Sequence, residues 1–142
     1  RRGVYNDNWG GYLANRKRIM KLIKDRGVDN VVSLGGDIHG FWVSDLTEMP
    51  FNPNSAVLGT EFVCSSITSP SYLYETFSEL LLENPQVKFF EDRLRGYVLC
   101  DLNQERYRST LRTVSSVLDR KPGFRTLATF EVENGIPGPI RI

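Results

Sequence analysis

The stretch Asn30-Val31-Val32-Ser33-Leu34-Gly35-Gly36-Asp37-Ile38-His39-Gly40 contains an apolar run that stops abruptly at two glycines, and the rest of the chain can be ordered around it. Val31 to Leu34 suit a buried strand, and Gly35-Gly36 allow the backbone to turn tightly where that strand ends. Asp37 then stands at the carboxyl end of the strand, where open α/β sheets bind their ligands. Immediately upstream, residues 12–26 place Tyr12, Ile19, Leu22 and Ile23 on one helical face, with Arg16, Lys17, Lys21 and Lys24 mostly outside it and Gly27 as a stop. An amphipathic helix that leads straight into a buried strand is half of an α/β unit.

Downstream, Phe41 to Thr60 is poor in periodicity and carries Pro50, Asn52, Pro53 and Asn54, which predicts a surface loop. Glu61 to Ile67 predict a second strand, Pro70 resets the backbone, and Leu73 to Leu82 predict a helix ending at Asn84-Pro85. The remainder changes character. Gly96 to Leu102, Arg106 to Val114, Leu127 to Val132 and Pro139 to Ile142 are separated by the turn-like pairs Asn103-Gln104, Pro122-Gly123 and Asn134-Gly135, the pattern of an antiparallel meander. The predicted fold class is therefore α/β with α+β character, in one domain or part-domain over residues 1–142 without an inner linker.

With 142 residues, 40% hydrophobic and 25% charged, the chain has the composition of a folded globular unit with a sizeable core. Its 18 Lys+Arg against 17 Asp+Glu leave a net charge of +1, so any attraction for an anion must be local, and no global field favours nucleic acid or an anionic membrane. No apolar run approaches the roughly 20 residues of a membrane-spanning helix, and Arg1-Arg2 is not followed by a signal-like stretch. The opening segment Tyr5-Asn6-Asp7-Asn8-Trp9 reads as the interior of a longer protein, of which this chain is expected to be a fragment. Cys64 and Cys100 lie in apolar, β-prone surroundings without a CxxC partner, open to a disulfide but better suited to buried free thiols.

Asp37 and His39 are two residues apart, so an extended segment would point both side chains the same way. A hard carboxylate oxygen beside an imidazole nitrogen suits two neighbouring cations of different softness. Spacing alone does not separate that reading from a plainer one, in which Asp37 caps a turn and His39, the sole histidine, is a hydrogen-bonded loop residue. Tyr5, Asp7, Trp9 and Trp42 are candidates for a pocket wall, although an aromatic after a strand more often packs into the core and an N-cap role suits Asp7 at least as well. Ser65, Ser66, Thr68 and Ser69 lack the Gly-x-Ser-x-Gly setting of a nucleophile, and no Gly-x-x-x-x-Gly-Lys phosphate loop occurs.

Taken further, Gly36-Asp37-Ile38-His39-Gly40-Phe41-Trp42 resembles the Gly-Asp-x-His-x-x-Trp motif of the alkaline phosphatase D (PhoD-like) metallophosphoesterases. Asp7-Asn8-Trp9-Gly10-Gly11-Tyr12 is similar to that family's Asp-x-Trp-Asp-Gly-Tyr entrance to a basic helix, and Asn30-Val31-Val32 to its strand. Glu61-Phe62-Val63 with Ser66-Ile67-Thr68-Ser69, then Asn84-Pro85, Lys88-Phe89-Phe90 and Arg95-Gly96-Tyr97, follow in the family's order. Several motifs in one order are far more specific than any single one.

The resemblance implies the C-terminal portion of a metallophosphatase-type α/β sandwich holding two metal ions, Fe3+ and Ca2+, with Asp37 matching a ligand of the calcium-like ion and His39 a ligand of the iron-like one. It implies hydrolysis of phosphate monoesters and diesters by metal-activated water or hydroxide, with no catalytic side chain here beyond the ligands. Periplasmic or secreted location is implied too. Gly10 departs from the pattern by replacing an Asp, which puts a polar role for that corner in doubt. The family's other ligands, an Asp and a Cys among them, come from an N-terminal portion, and neither Cys64 nor Cys100 sits in a matching motif. The chain alone is thus expected to be inactive, with the missing N-terminal portion as its partner and an apolar face that can promote self-association. A non-enzymatic α+β binding module is the alternative, and nucleic-acid binding through the basic helix ranks last.

Overall fold

A computed structural model describes residues 9–50 and 52–142. The first helix, α1 (Leu13–Arg26), ends at Gly27, whose φ of 58° lets the Gly27 and Val28 amides bond back to the Lys24 and Ile23 carbonyls. Strand β1 (Val31–Gly35) follows, then β2 (Phe41–Thr47) and β3 (Val57–Val63), helix α2 (Tyr74–Leu80) with a 3-10 turn at Leu81–Glu83, and β4 (Val87–Glu91). These four strands form one mixed sheet in the order β1-β3-β2-β4, with β1 parallel to β3 and β2 antiparallel to both β3 and β4. Strands β5 (Gly96–Leu102), β6 (Arg106–Val114), β7 (Phe124–Glu133) and β8 (Ile140–Arg141) form the predicted antiparallel meander as a second sheet.

The two sheets pack face to face. Phe41, Val43 and Phe62 of the first meet Leu111, Ala128, Phe130 and Val132 of the second, all under 7% exposed, and Phe130 lies 6.4 Å from Phe62 and 5.7 Å from Phe89 between ring centroids. Strand alternation sends Trp42 and Phe90 to the opposite face of the first sheet, where Phe77 of α2 meets both rings edge-on at 5.1 and 5.8 Å. The result is a β-sandwich with helices on one outer face, the α/β fold of α+β character that the sequence predicts.

Several boundaries differ from expectation. Residues 41–60 are not one surface loop, because β2 is buried in the middle of the sheet and β3 already begins at Val57. Ser44 and Asp45 obscured the strand pattern, and both are buried, Asp45 pairing with Lys88 at 2.9 Å. Of the described residues in that range, 48–50 and 52–56 remain a loop. Strand β3 stops at Val63 rather than Ile67, since Ser65 and Ser66 bond to neighbouring loops. On α1 the expected packing stripe is mostly bare: Met20 is buried, while Ile19 and Leu22 are 41% and 55% exposed. Both cysteines are free, but only Cys64 is partly buried. Cys100 is exposed on the edge strand β5, on the same face of the sheet as Val98 and Ser109, where its Sγ accepts the Tyr107 hydroxyl at 2.9 Å.

Candidate metal centre

Because β1 and β3 run parallel and β2 and β4 alternate with them, the ends of β1, β3 and β4 and the start of β2 share one rim of the first sheet. Three loops meet there: residues 36–40, 64–73 and 92–95. The first holds Asp37 and His39.

This loop is not extended. Asp37 has φ 72° and His39 φ 58°, and the Ile38 amide bonds the Gly36 carbonyl at 2.9 Å, closing a γ-turn centred on Asp37 in the rare positive-φ form. Neither residue has the side-chain freedom of glycine, so each conformation costs on the order of 1–3 kcal/mol and persists only where the surroundings impose it. Strain of this kind gathers at functional sites. The expected two-residue alternation therefore does not explain how the pair is presented; a strained turn does.

Asp37 is exposed, while His39 is half-buried with its Nδ1 3.2 Å from the Pro70 carbonyl oxygen. A carbonyl only accepts, so Nδ1 carries a proton, and in the neutral ring Nε2 is then the nitrogen with the lone pair. That is the state in which an imidazole binds a metal, with the second ring nitrogen oriented by a carbonyl. The residues present thus fit a metal ion: an exposed carboxylate and an imidazole with one nitrogen already engaged, on a glycine-bordered turn. Among the described residues no group of three or more His, Cys, Asp or Glu gathers around a common point.

The walls of the site are polar and buried. Ser65, 6% exposed, donates to the Leu94 carbonyl at 2.8 Å and lies 3.2 Å from the His39 carbonyl, tying two of the loops together. Asp92, 1% exposed, accepts the Ser71 hydroxyl at 2.6 Å through Oδ2, while Oδ1 has no hydrogen-bond partner among the described residues. Gly40 sits against it so closely that a Cβ there would come within 2.8 Å of the Asp92 Cβ. Buried Arg95 donates to the Ser66 hydroxyl at 3.2 Å, to the Ser69 carbonyl and to the Asp92 carbonyl. Burial lowers the Arg95 pKa, opposed by the charges of Asp92 and Glu91.

Of the candidate wall residues, Trp42 lies beneath the site, packed between α2 and Phe90, with its indole nitrogen buried and turned toward Gly40. Trp9 is 44% exposed in the turn before α1. Tyr5 and Asp7 fall outside the described residues. Sequence reasoning passed over Asp92 and Ser71, and met Arg95 only within the motif Arg95-Gly96-Tyr97, without a role at the site. The available signal was a charged cluster, Glu91-Asp92-Arg93, directly after the apolar Val87-Lys88-Phe89-Phe90, which is a strand end of the same kind as Gly35-Gly36-Asp37.

Comparison with known proteins bears on this geometry. The family model described as PhoD-like phosphatase matches residues 2–111. The chain is 35% identical over 127 residues to alkaline phosphatase D of Bacillus subtilis (strain 168), an alignment covering 87% of this chain and 22% of that protein. A solved structure titled "Structure of PhoD" superposes with a TM-score of 0.82 at 30% identity, covering 96% of this chain and 26% of that one. The chain thus spans about a quarter of the length of these relatives.

Proposed function

Since the chain belongs to the PhoD-like phosphatase family, we propose that it is the C-terminal portion of a metal-dependent phosphoesterase that hydrolyses phosphate monoesters and diesters, and that Asp37 and His39 are its share of the metal centre. The observation that carries this reading is the strained turn: two non-glycine residues at positive φ, one a carboxylate and the other an imidazole whose Nδ1 proton is already engaged. A fold holds such a turn at a cost, and presenting two ligands at a strand end is a use that would offset it.

Asp37 supplies hard oxygen and His39 a borderline nitrogen through Nε2, which matches a Ca2+-like and an Fe3+-like ion respectively. Such an ion pair, when bound, supplies Lewis acidity toward phosphoryl oxygens and a water or hydroxide that is nucleophilic at neutral pH. The chain's own part is to hold the donors on a rigid rim, with Ser65 fixing the His39 backbone and Asp37 open to an ester arriving from solvent. The remaining ligands belong, in this reading, to the rest of a longer protein, exported to the periplasm or secreted. That rest would also cover the exposed Leu13, Ile19 and Leu22 of α1.

The reading is tested by bound iron and calcium and by hydrolysis of a chromogenic phosphate ester. A longer form carrying the upstream region is expected to hold metal firmly and turn over, and the 142-residue chain to bind metal only weakly and not to turn over. In the longer form His39→Ala and Asp37→Ala should each reduce turnover by more than the roughly 10–100-fold that loss of an outer-shell partner costs. Unchanged metal content in both variants would sink the proposal.

A further inference from the structure

Pro70 presents its carbonyl to His39 from the middle of a loop, and a hydrogen bond to a buried charged residue holds the chain on either side of it. On the N-terminal side Arg95 grips the Ser69 carbonyl and the Ser66 hydroxyl. On the C-terminal side the Asp92 carboxylate receives the Ser71 hydroxyl at 2.6 Å. The two holding residues are themselves joined, since the Arg95 guanidinium also donates to the Asp92 carbonyl, and the Arg95 backbone is fixed by the Val114 amide at 3.1 Å. Asp92 reaches the His39 loop directly as well, packing on Gly40 where no side chain would fit.

We infer that Arg95 and Asp92 are positioning residues for the proposed metal centre: by bracketing Pro70 they aim its carbonyl at His39 Nδ1 and hold the imidazole in the Nδ1–H form, leaving Nε2 to bind. A proline is suited to the bracketed position, because it brings no amide of its own and its ring restricts the backbone. A free neutral imidazole favours the other tautomer, with the proton on Nε2, so the Pro70 carbonyl selects the form that is the minority in a free ring. This inference rests on the reading of His39 as a ligand, but the state of the ring can be observed without any metal.

His39 is the only histidine, so 15N-histidine labelling of the 142-residue chain gives the nitrogens of one ring, read in a long-range proton–nitrogen spectrum at alkaline pH. The wild-type chain is expected to show protonated Nδ1 and unprotonated Nε2. Arg95→Ala and Asp92→Asn should move the ring to a mixture dominated by the Nε2–H form, and Arg95→Lys should recover part of the wild-type signal. Ser71→Ala removes one hydroxyl from the loop and carries the test should Arg95→Ala not fold, native folding being judged from the amide spectrum. An unchanged Nδ1–H ring in natively folded Arg95→Ala, Asp92→Asn and Ser71→Ala would overturn the positioning role. Titration with Zn2+ on the same resonances separates the two ideas. A clamp-dependent tautomer with no Zn2+ effect at Nε2 upholds the clamp and counts against ligation. A Zn2+ effect equal in wild type and variants, with the tautomer constant, does the reverse. Where both hold, apparent Zn2+ affinity should fall roughly 10–100-fold in the variants.

Discussion

Asp37 and His39 occupy the left-handed region that glycine adopts freely and other residues enter at a cost of about 1–2 kcal/mol. The strain gives the pair a measurable signature. Asp37→Gly and Asp37→Ala both delete the carboxylate and whatever it binds, but only glycine relaxes the turn. Asp37→Gly is therefore expected to be more stable than Asp37→Ala by about 1 kcal/mol in urea unfolding, with both equally unable to support activity in the longer protein. Equal stabilities would show that the turn is not strained. Gly40 has the opposite need, for space rather than conformation, because Asp92 fills the position of a side chain.

At the scale of elements, β3 is the strand on which the sheet and α1 meet. Glu61 points to the helix side between Ser33 of β1 and Ser44 of β2, and burial pushes its carboxyl above the usual range, with the Arg16 charge opposing. A raised native pKa means that the folded state holds the proton longer than the unfolded chain does. The stabilisation is complete below the ordinary carboxylate range and is lost as pH rises from there through the native value. Glu61→Gln should consequently raise the melting temperature at neutral pH, change it little in acid, and flatten the pH dependence between them. A loss of stability at neutral pH would mean instead that the attraction to Arg16 outweighs desolvation. Helix α1 otherwise rests lightly, through Met20, the Arg16 bond to the Thr47 carbonyl at 2.9 Å and the Lys24–Glu48 pair at 2.7 Å. Helix α2 is better seated, with Phe77, Trp42 and Phe90 forming one aromatic group beneath the site.

For the molecule as a whole, the sandwich core is closed but one flank is not. Leu13, Ile19 and Leu22 on α1 and Leu34 on the edge strand β1 are 41–62% exposed. Apolar surface of this kind promotes association, so the chain is expected to self-associate with rising concentration in sedimentation velocity. The double change Ile19→Lys with Leu22→Lys should shift it toward monomer with little change in stability, because neither side chain is buried. A monomer at all concentrations would remove the flank from consideration as an interface.

Local chemistry was legible in the linear sequence wherever it is written in consecutive residues. Periodicity located α1, the turn pairs located the meander, and the glycine-ended apolar run located Asp37 and His39. Strand β2 was not legible, since its polar residues become buried only through partners supplied from elsewhere, as Lys88 is for Asp45. The same holds for the site. That a carboxylate and an imidazole stand at a strand end follows from the sequence by itself. That Arg95, Asp92 and Ser71 converge on Pro70 to set the ring of His39 was decided only by the tertiary structure, because hydrogen bonds spanning 21 to 31 residues arise from sheet register, which brings distant loops to one rim.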